Sequence, residues 1–353
     1  MTLRSGFVSI IGRPNSGKST LLNALIGEKV AIVTAKPQTT RTRITGIVEV
    51  PERKKLHPPA QIVFVDTPGI HKPASQLDRS MMHEIQEALE TRDIVILVVD
   101  AVRRQRRSPA ANPETGPAEG KNAPLQMDRA SEEALAFEMI RKLDCPVFLI
   151  ISKIDLVPKE SLLPLIEGLR GLYSFAEVIP VSAKTGDGIR RLLHKLAEYL
   201  PEGRRWFPKE QFTDQPERFL VAELIREQIL TQTGEEVPYA SAVVVERFEE
   251  PVISAAVKRG REGKPPVTRI SAAIYCERPG QKAILIGKGG SKLKEIGAGA
   301  RREIESLLGT RVYLELRVLV REHWRDSRVF VESLDWRRQI QELQAGQEKS
   351  SSE

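Results

Sequence analysis

Gly12, Arg13, Pro14, Asn15, Ser16, Gly17, Lys18 and Ser19 fit the pattern G-x-x-x-x-G-K-[ST]. No other stretch restricts the fold as much, because of what flanks it. An apolar run, Phe7–Ile11, comes before it and a helix-period stretch, Lys18–Leu25, begins inside it. A loop leading from a strand into a helix N-terminus gathers backbone N–H groups around an anion, and the helix dipole adds to them. The glycines let the backbone turn inward. Lys18 is placed to reach β- and γ-phosphates, and the Ser19 hydroxyl to ligate Mg²⁺. Thr20, the next residue, joins the expected nucleotide-binding set. In this context a purely structural turn is the weaker reading.

The surroundings agree with that demand. Phe7–Ile11, Gln61–Val65, Ile94–Val99, Val147–Ile151 and Glu177–Pro180 read as strands, four of them largely unalternated, as expected when both faces are covered. Lys18–Leu25, Met81–Glu90, Ala130–Leu143, Ser161–Leu172 and Ile189–Leu200 read as helices between them. The alternation predicts an α/β domain with a doubly wound, mostly parallel sheet over residues 1–202. Thr42–Val50 adds an antiparallel edge strand beside Gln61–Val65. Pro51–Pro59 reads as a small insertion at a strand turn. Arg103–Gln126, with four prolines and four clustered arginines, reads as a disordered insertion, since it offers little apolar surface to offset its ordering entropy.

A chain of 353 residues is long enough for a second core. Residues 203–215 read as a linker, 216–336 as a second domain and 337–353 as a frayed tail. The second domain has the order α-β-β-α-α-β: a helix at Glu217–Gln232, strands at Ser241–Arg247 and Arg269–Tyr275, a Gly-rich turn between helices, the second of them Leu293–Leu308, and a strand at Val312–Val320. Here the charge is uneven. Between Lys258 and Arg328 stand 17 Lys/Arg against 8 Asp/Glu, while the whole chain carries +7, so the remainder is slightly acidic. A basic domain beside a near-neutral one points to an anionic polymer or surface, with a solvated basic face as the plain alternative. The composition is that of a soluble globular protein, and no apolar run approaches the roughly 20 residues that span a bilayer. No secretory signal is expected. Cys145 and Cys276 lie far apart and match no metal spacing, which fits a reduced, cytoplasmic chain.

Three further motifs narrow the nucleotide. Asp66, Thr67, Pro68 and Gly69 follow a strand and place a carboxylate near the metal and a glycine N–H near the γ-phosphate, although this is also good turn chemistry. Ser152, Lys153 and Asp155 follow another strand. A carboxylate there accepts from guanine N1–H and the exocyclic amine, a pair adenine does not offer. Ser182, Ala183 and Lys184 follow the last strand. These motifs, in this order, resemble the translation-factor-related P-loop GTPases. The resemblance implies that Lys153 and Asp155 hold guanine, that the Ala183 backbone meets its O6, and that Ser19 and a switch threonine bind Mg²⁺, with Asp66 beside them. Thr40, in Pro37–Arg41, is the candidate for that threonine. The family has Asn where this chain has Ser152. The shorter side chain is expected to tie the base pocket less firmly to the phosphate loop.

Ile70 stands where a water-orienting glutamine is often found. Hydrolysis is therefore expected to rest on Mg²⁺, Lys18, Thr40, Gly69 and one more positive charge. Asn15, Thr40 and Ile70 resemble related GTPases in which a potassium ion supplies that charge, which implies slow, potassium-stimulated turnover.

Gly287, Lys288, Gly289 and Gly290 form G-x-x-G, with Lys292 and Lys294 close by. Such a loop clamps RNA in KH domains, and α-β-β-α-α-β is the type II KH order. Ile270, Ala272, Ile284 and Ile286 would be base floor or core, mostly core. With this domain included, nearly the whole chain outside 103–126 resembles the Era family of bacterial ribosome-assembly GTPases. Ile225–Ile229, Glu236–Tyr239 and Tyr313–Val318 add to the match. The resemblance implies a monomer that binds GTP or GDP and the 3′ end of small-subunit ribosomal RNA, assists small ribosomal subunit assembly, and associates peripherally with the inner membrane. The alternative function is a GTP-bound RNA-binding scaffold with negligible turnover. A P-loop ATPase or kinase is disfavoured by Asp155.

Overall fold

The computed structural model describes residues 2–54, 56–105, 131–250 and 267–339. The chain divides into two compact units, Met1–Pro73 with Met81–Asp214, and Ala74–Ser80 with the chain from Gln215 onward.

The first unit runs β1 (Arg4–Gly12), α1 (Lys18–Ile26), β2 (Ile44–Val50), β3 (Ala60–Asp66), α2 (Gln76–Glu90), β4 (Ile94–Asp100), α3 (Ala101–Gln105), α4 (Glu132–Ile140), β5 (Val147–Ser152), α5 (Leu162–Arg170), β6 (Glu177–Pro180) and α6 (Ile189–Tyr199). Its sheet has the order β2-β3-β1-β4-β5-β6. Only β2 is antiparallel to its neighbour. Every residue of β3 and β5 is buried, which explains why these strands read as unbroken apolar runs. Ile85, Phe137, Ile140 and Leu169 from three helices pack with Ile11, Val95, Leu97 and Leu149 in one core. Each such fully buried side chain contributes about 1.5–3 kcal/mol. The parallel strands deliver the turns after β1, β3, β4, β5 and β6 to one edge of the sheet. The order reverses between β1 and β4, and open α/β sheets place ligands at such a reversal.

The second unit contains α7 (Glu217–Gln232), β7 (Ala242–Glu249), β8 (Val267–Cys276), α8 (Pro279–Ile286), α9 (Ser291–Leu308), β9 (Arg311–Val320) and α10 (Arg328–Ser333). β8 pairs antiparallel with β7 and parallel with β9. A parallel partner requires a crossover, and α8 and α9 supply it. The glycine turn sits in the middle of that crossover.

Two expectations about element bounds change, and one helix is new. Residues 103–105 of the supposed insertion are helical, because Asp100 Oδ1 accepts from Val102 N at 2.9 Å and caps α3; 106–126 lie outside the described residues, as do Ala130 and the tail from 340. Helix α2 begins at Gln76, five residues before the apolar periodicity starts, since Asp78 and Ser75 cap each other there. Helix α10 is too short to show a period. It is held by Phe330 against Tyr275 at 5.0 Å and against the fully buried Trp324 at 5.7 Å.

The stretch read as a linker is bonded to the first unit up to Thr213. Gln61, wholly buried, accepts from the backbone N–H of Trp206 and Phe207 at 2.7 and 3.1 Å. Ile47 N donates to Phe212 O at 2.9 Å, and Thr213 Oγ1 donates to Thr45 O at 2.7 Å. These residues close the outer edge of β2, which would otherwise present unpaired backbone groups.

Candidate functional site

The loop from Gly12 to Gly17 folds tightly at the carboxyl end of β1. Gly17 is left-handed at the N-cap of α1, so the first N–H groups of that helix face the loop's interior. Lys18 points back under the loop, donating to Gly12 O at 3.2 Å and Arg13 O at 3.0 Å. Burial lowers its ammonium to about 8, against the opposing pull of Asp66 and Glu132. Thr20 continues the first turn of α1.

Ser19, Thr40 and Asp66 meet in one place. Ser19 Oγ donates to Asp66 Oδ2 at 2.6 Å and lies 2.8 Å from Thr40 Oγ1, which is 3.4 Å from the same carboxylate oxygen. Burial raises the Asp66 carboxyl to about 6, opposed by Lys18, Ser19 and Thr40. Its Oδ1 is buried with no partner among the described residues. A buried, half-satisfied carboxylate beside two hydroxyls is an all-oxygen set, which suits Mg²⁺ sharing its coordination with water and phosphate. Thr67 anchors the following turn through Oγ1 to Ile10 O at 2.8 Å. Gly69 lies so close to the phosphate loop that a Cβ there would stand 2.7 Å from Pro14. No larger residue fits without displacing one of the two loops. Ile70 is fully buried in the core with Ile85 and Val95, so its side chain faces away from the site.

The base pocket follows β5 and β6. Ser182 Oγ donates to Asp155 Oδ1 at 2.7 Å, and Asp155 itself is exposed. Ala183 is half-buried and Lys184 exposed at the same turn. Lys153, with φ of 61°, bonds Asn15 O at 2.7 Å and Asp100 Oδ2 at 2.8 Å. Ser152 Oγ lies 2.6 Å from Ser16 O and 3.2 Å from Val99 O. The tie from Ser152 is thus made: β5 comes close enough for the shorter side chain to bond the phosphate loop directly. Asn15 Nδ2 donates to Ala35 O at 2.8 Å and joins that loop to the segment leading to Thr40.

Sequence reasoning missed Asp100 and Glu132. Asp100 holds Lys153, and Glu132 pairs with Arg13 at 2.7 Å. Asp100 carries the same signal as Asp66, an acid at the end of a buried strand. Glu132 carries none, because its partner is far away in sequence.

In the second unit, Gly287–Gly290 forms a turn between α8 and α9. Gly289 and Gly290 have φ of 60° and 80°, and nothing lies within 4 Å of where a Cβ would stand on either. Their left-handed backbone and the open space above them would let another backbone come close. Lys288 and Lys294 are exposed, whereas Lys292 is bonded to Glu295 at 2.7 Å. Ile270 and Ala272 are core; Ile284 is 52% exposed beside the turn and Ile286 is half-buried.

Comparison with known proteins agrees with this division. A family model described as 50S ribosome-binding GTPase matches residues 7–153, and a KH domain model matches 236–325. GTPase Era of Syntrophus aciditrophicus is 46% identical over 330 residues, covering 93% of this chain and 94% of that protein. GTPase Era of Geotalea uraniireducens is 44% identical over 324 residues, covering 92% and 95%. A crystal structure of Era with MgGDPNP and nucleotides 1506–1542 of 16S ribosomal RNA superposes with a TM-score of 0.78 at 35% identity, over 94% of this chain and 98% of that one. A variant of Aquifex aeolicus Era bound to GDP.AlF4- gives the same TM-score and identity, over 93% and 98%. Identity of this extent across both units means that the chain belongs to the Era family of GTPases.

Proposed function

We propose that this chain is a GTP-driven switch that binds the 3′ end of small-subunit ribosomal RNA through its KH unit and assists assembly of the small subunit. The observation that carries the reading is the meeting of Ser19, Thr40 and Asp66 over a loop whose lysine is buried beneath it. Gly12–Ser19 and Thr20 would take the phosphates, and Ser19, Thr40 and Asp66 the Mg²⁺. Asp155, Lys153 and the Ser182–Lys184 turn would take guanine. Bound Mg²⁺ supplies charge neutralisation for the β- and γ-oxygens. Lys18 adds a fixed positive charge, and the Gly69 N–H orients the γ-phosphate.

Gly287, Lys288, Gly289, Gly290, Lys292 and Lys294 would take the RNA backbone. Support comes from the solved relative that holds 16S ribosomal RNA. The protein would work as a cytoplasmic monomer with peripheral contact at the inner membrane; among the described residues no helix is long and apolar enough to cross one. Binding of a 3′-terminal small-subunit RNA fragment, compared between GDPNP-loaded and GDP-loaded protein, tests the switch. Equal RNA affinity in both states would remove it.

Turnover in this reading is slow and potassium-stimulated. With Ile70 buried, no side chain at that position orients water, and the Asn15 amide, held by Ala35 O, keeps its oxygen as an acceptor. Single-turnover hydrolysis should be faster in potassium than in sodium, and equal rates would sink the idea. Turnover at the uncatalysed rate, with and without RNA, would favour the scaffold instead.

A further inference from the structure

Arg43 stands three residues after Thr40, at the entrance to β2. Its backbone N–H donates to Glu84 Oε2 at 3.1 Å, and its Nε lies 3.3 Å from the same oxygen. A terminal guanidinium nitrogen reaches Glu87 Oε2 at 2.8 Å. Both acids belong to α2, the helix that follows Asp66–Ile70. The side chain of Glu84 is 9% exposed, that of Arg43 23% and that of Glu87 37%. One arginine thus joins the root of the Thr40 segment to the helix behind the Gly69 turn.

The other root of the Thr40 segment is also pinned. Asn23 Oδ1 accepts from Val30 N and Ala31 N at 3.1 and 3.0 Å, and its Nδ2 donates to Ala31 O at 2.8 Å. Both ends of the segment, at Ala31 and at Arg43, are thus held by side-chain hydrogen bonds. A plain helix-to-strand brace would explain the Arg43 contacts by themselves. Their position argues for more, because they connect the two segments that would differ between GTP and GDP. A ligand shifts an equilibrium only through its differential contacts, and the γ-phosphate would make those contacts with these two segments.

We propose that Arg43 is a positioning residue which, with Glu84 and Glu87, couples the placement of Thr40 to α2, so that both switch segments order together on GTP. The inference rests on the reading of Thr40 as the switch threonine that would bind Mg²⁺ beside the γ-phosphate. It predicts a nucleotide-selective defect, since a coupling contact contributes only in the state where both segments are ordered.

The test is the affinity of the full-length protein for GDPNP and for GDP, by competition with a fluorescent nucleotide. Arg43→Ala should weaken GDPNP about tenfold and GDP by no more than about twofold, within the usual range of coupling between sites. Arg43→Lys should keep most of the GDPNP affinity. Glu87→Ala should act in the same direction, and adding it to Arg43→Ala should cost little more. Glu87 is the more exposed partner, so its variant carries the test if Arg43→Ala does not fold. Equal losses for both nucleotides would make the contacts a structural brace and overturn the proposal. Unchanged GDPNP affinity in a folded Arg43→Ala protein would do the same. Thr40→Ala separates the layers: if it discriminates GDPNP from GDP while the Arg43 variants do not, this inference fails and the reading of Thr40 stands. If Thr40→Ala does not discriminate, that reading fails and the inference falls with it.

Discussion

At Lys18 a cation is buried and held by two carbonyls of its own loop, whereas at Lys288 a cation stands in solvent on a turn of glycines. The first arrangement is built by the sheet: five strand ends converge, and their acids and hydroxyls bond one another. The second is built by leaving things out, with open space over Gly289 and Gly290. A buried site is costly to charge, but its groups are already gathered when an anion arrives. An open turn costs little to maintain and depends on its ligand for definition. The nucleotide site should therefore respond sharply to single groups, and the turn to backbone shape and ionic strength.

Lys18→Ala should do the most damage. Removing a buried, paired cation costs about 3–5 kcal/mol, or two to four orders of magnitude in nucleotide affinity. Calorimetric titration with GDP checks it. RNA affinity of the variant should match that of nucleotide-free wild type and should no longer respond to added GDPNP; a response to GDPNP would mean that Lys18 is not needed for nucleotide binding.

Protonation comes next. Lys18, lowered to about 8, loses its proton in the free protein above that pH, and Asp66, raised to about 6, gains one below it. Mg·GDP affinity should be highest between roughly pH 6 and 8 and fall by up to about tenfold per unit outside. Stability of the nucleotide-free protein runs the other way. It should decrease as pH rises from 3.8 toward 6, where the native state still holds the Asp66 proton, and increase from 8 toward 10.5, where native Lys18 has lost its own. Denaturant midpoints across pH read both arms, and a flat profile would mean that the pair is not desolvated.

Gly289→Asp acts on the other side of the comparison. A left-handed aspartate costs about 1–2 kcal/mol and sets a negative charge where RNA phosphates would approach. RNA affinity should fall about tenfold or more by gel shift while GDP affinity stays level, and wild-type RNA affinity should fall steeply with added salt. Unchanged RNA binding would remove the turn from the interface.

Ser152→Ala is the finest probe. Losing one hydrogen bond to Ser16 O costs about 1 kcal/mol, roughly fivefold in GDP affinity. Ser152→Asn should gain no more than about twofold, since the tie already exists. A large gain would show that serine is a weak substitute after all.

Much of this is legible in the amino-acid sequence alone. Gly12–Ser19, Asp66–Gly69 and Ser152–Asp155 each stand at the end of an apolar run, and a parallel sheet must bring such ends to one edge. The α-β-β-α-α-β order and the glycine turn were equally plain, because helix and strand periods are local properties of sequence. Contacts between distant residues were not legible: Arg13 with Glu132, Lys153 with Asp100, and Arg43 with Glu84 and Glu87. Nor was the reach of Ser152 to Ser16 O, which depends on how closely β5 approaches the phosphate loop. Local pattern thus determines which groups exist and on which element they ride. Their separations are set by packing, which is a property of the whole core, so only the folded chain could show that the short side chain of Ser152 reaches the phosphate loop.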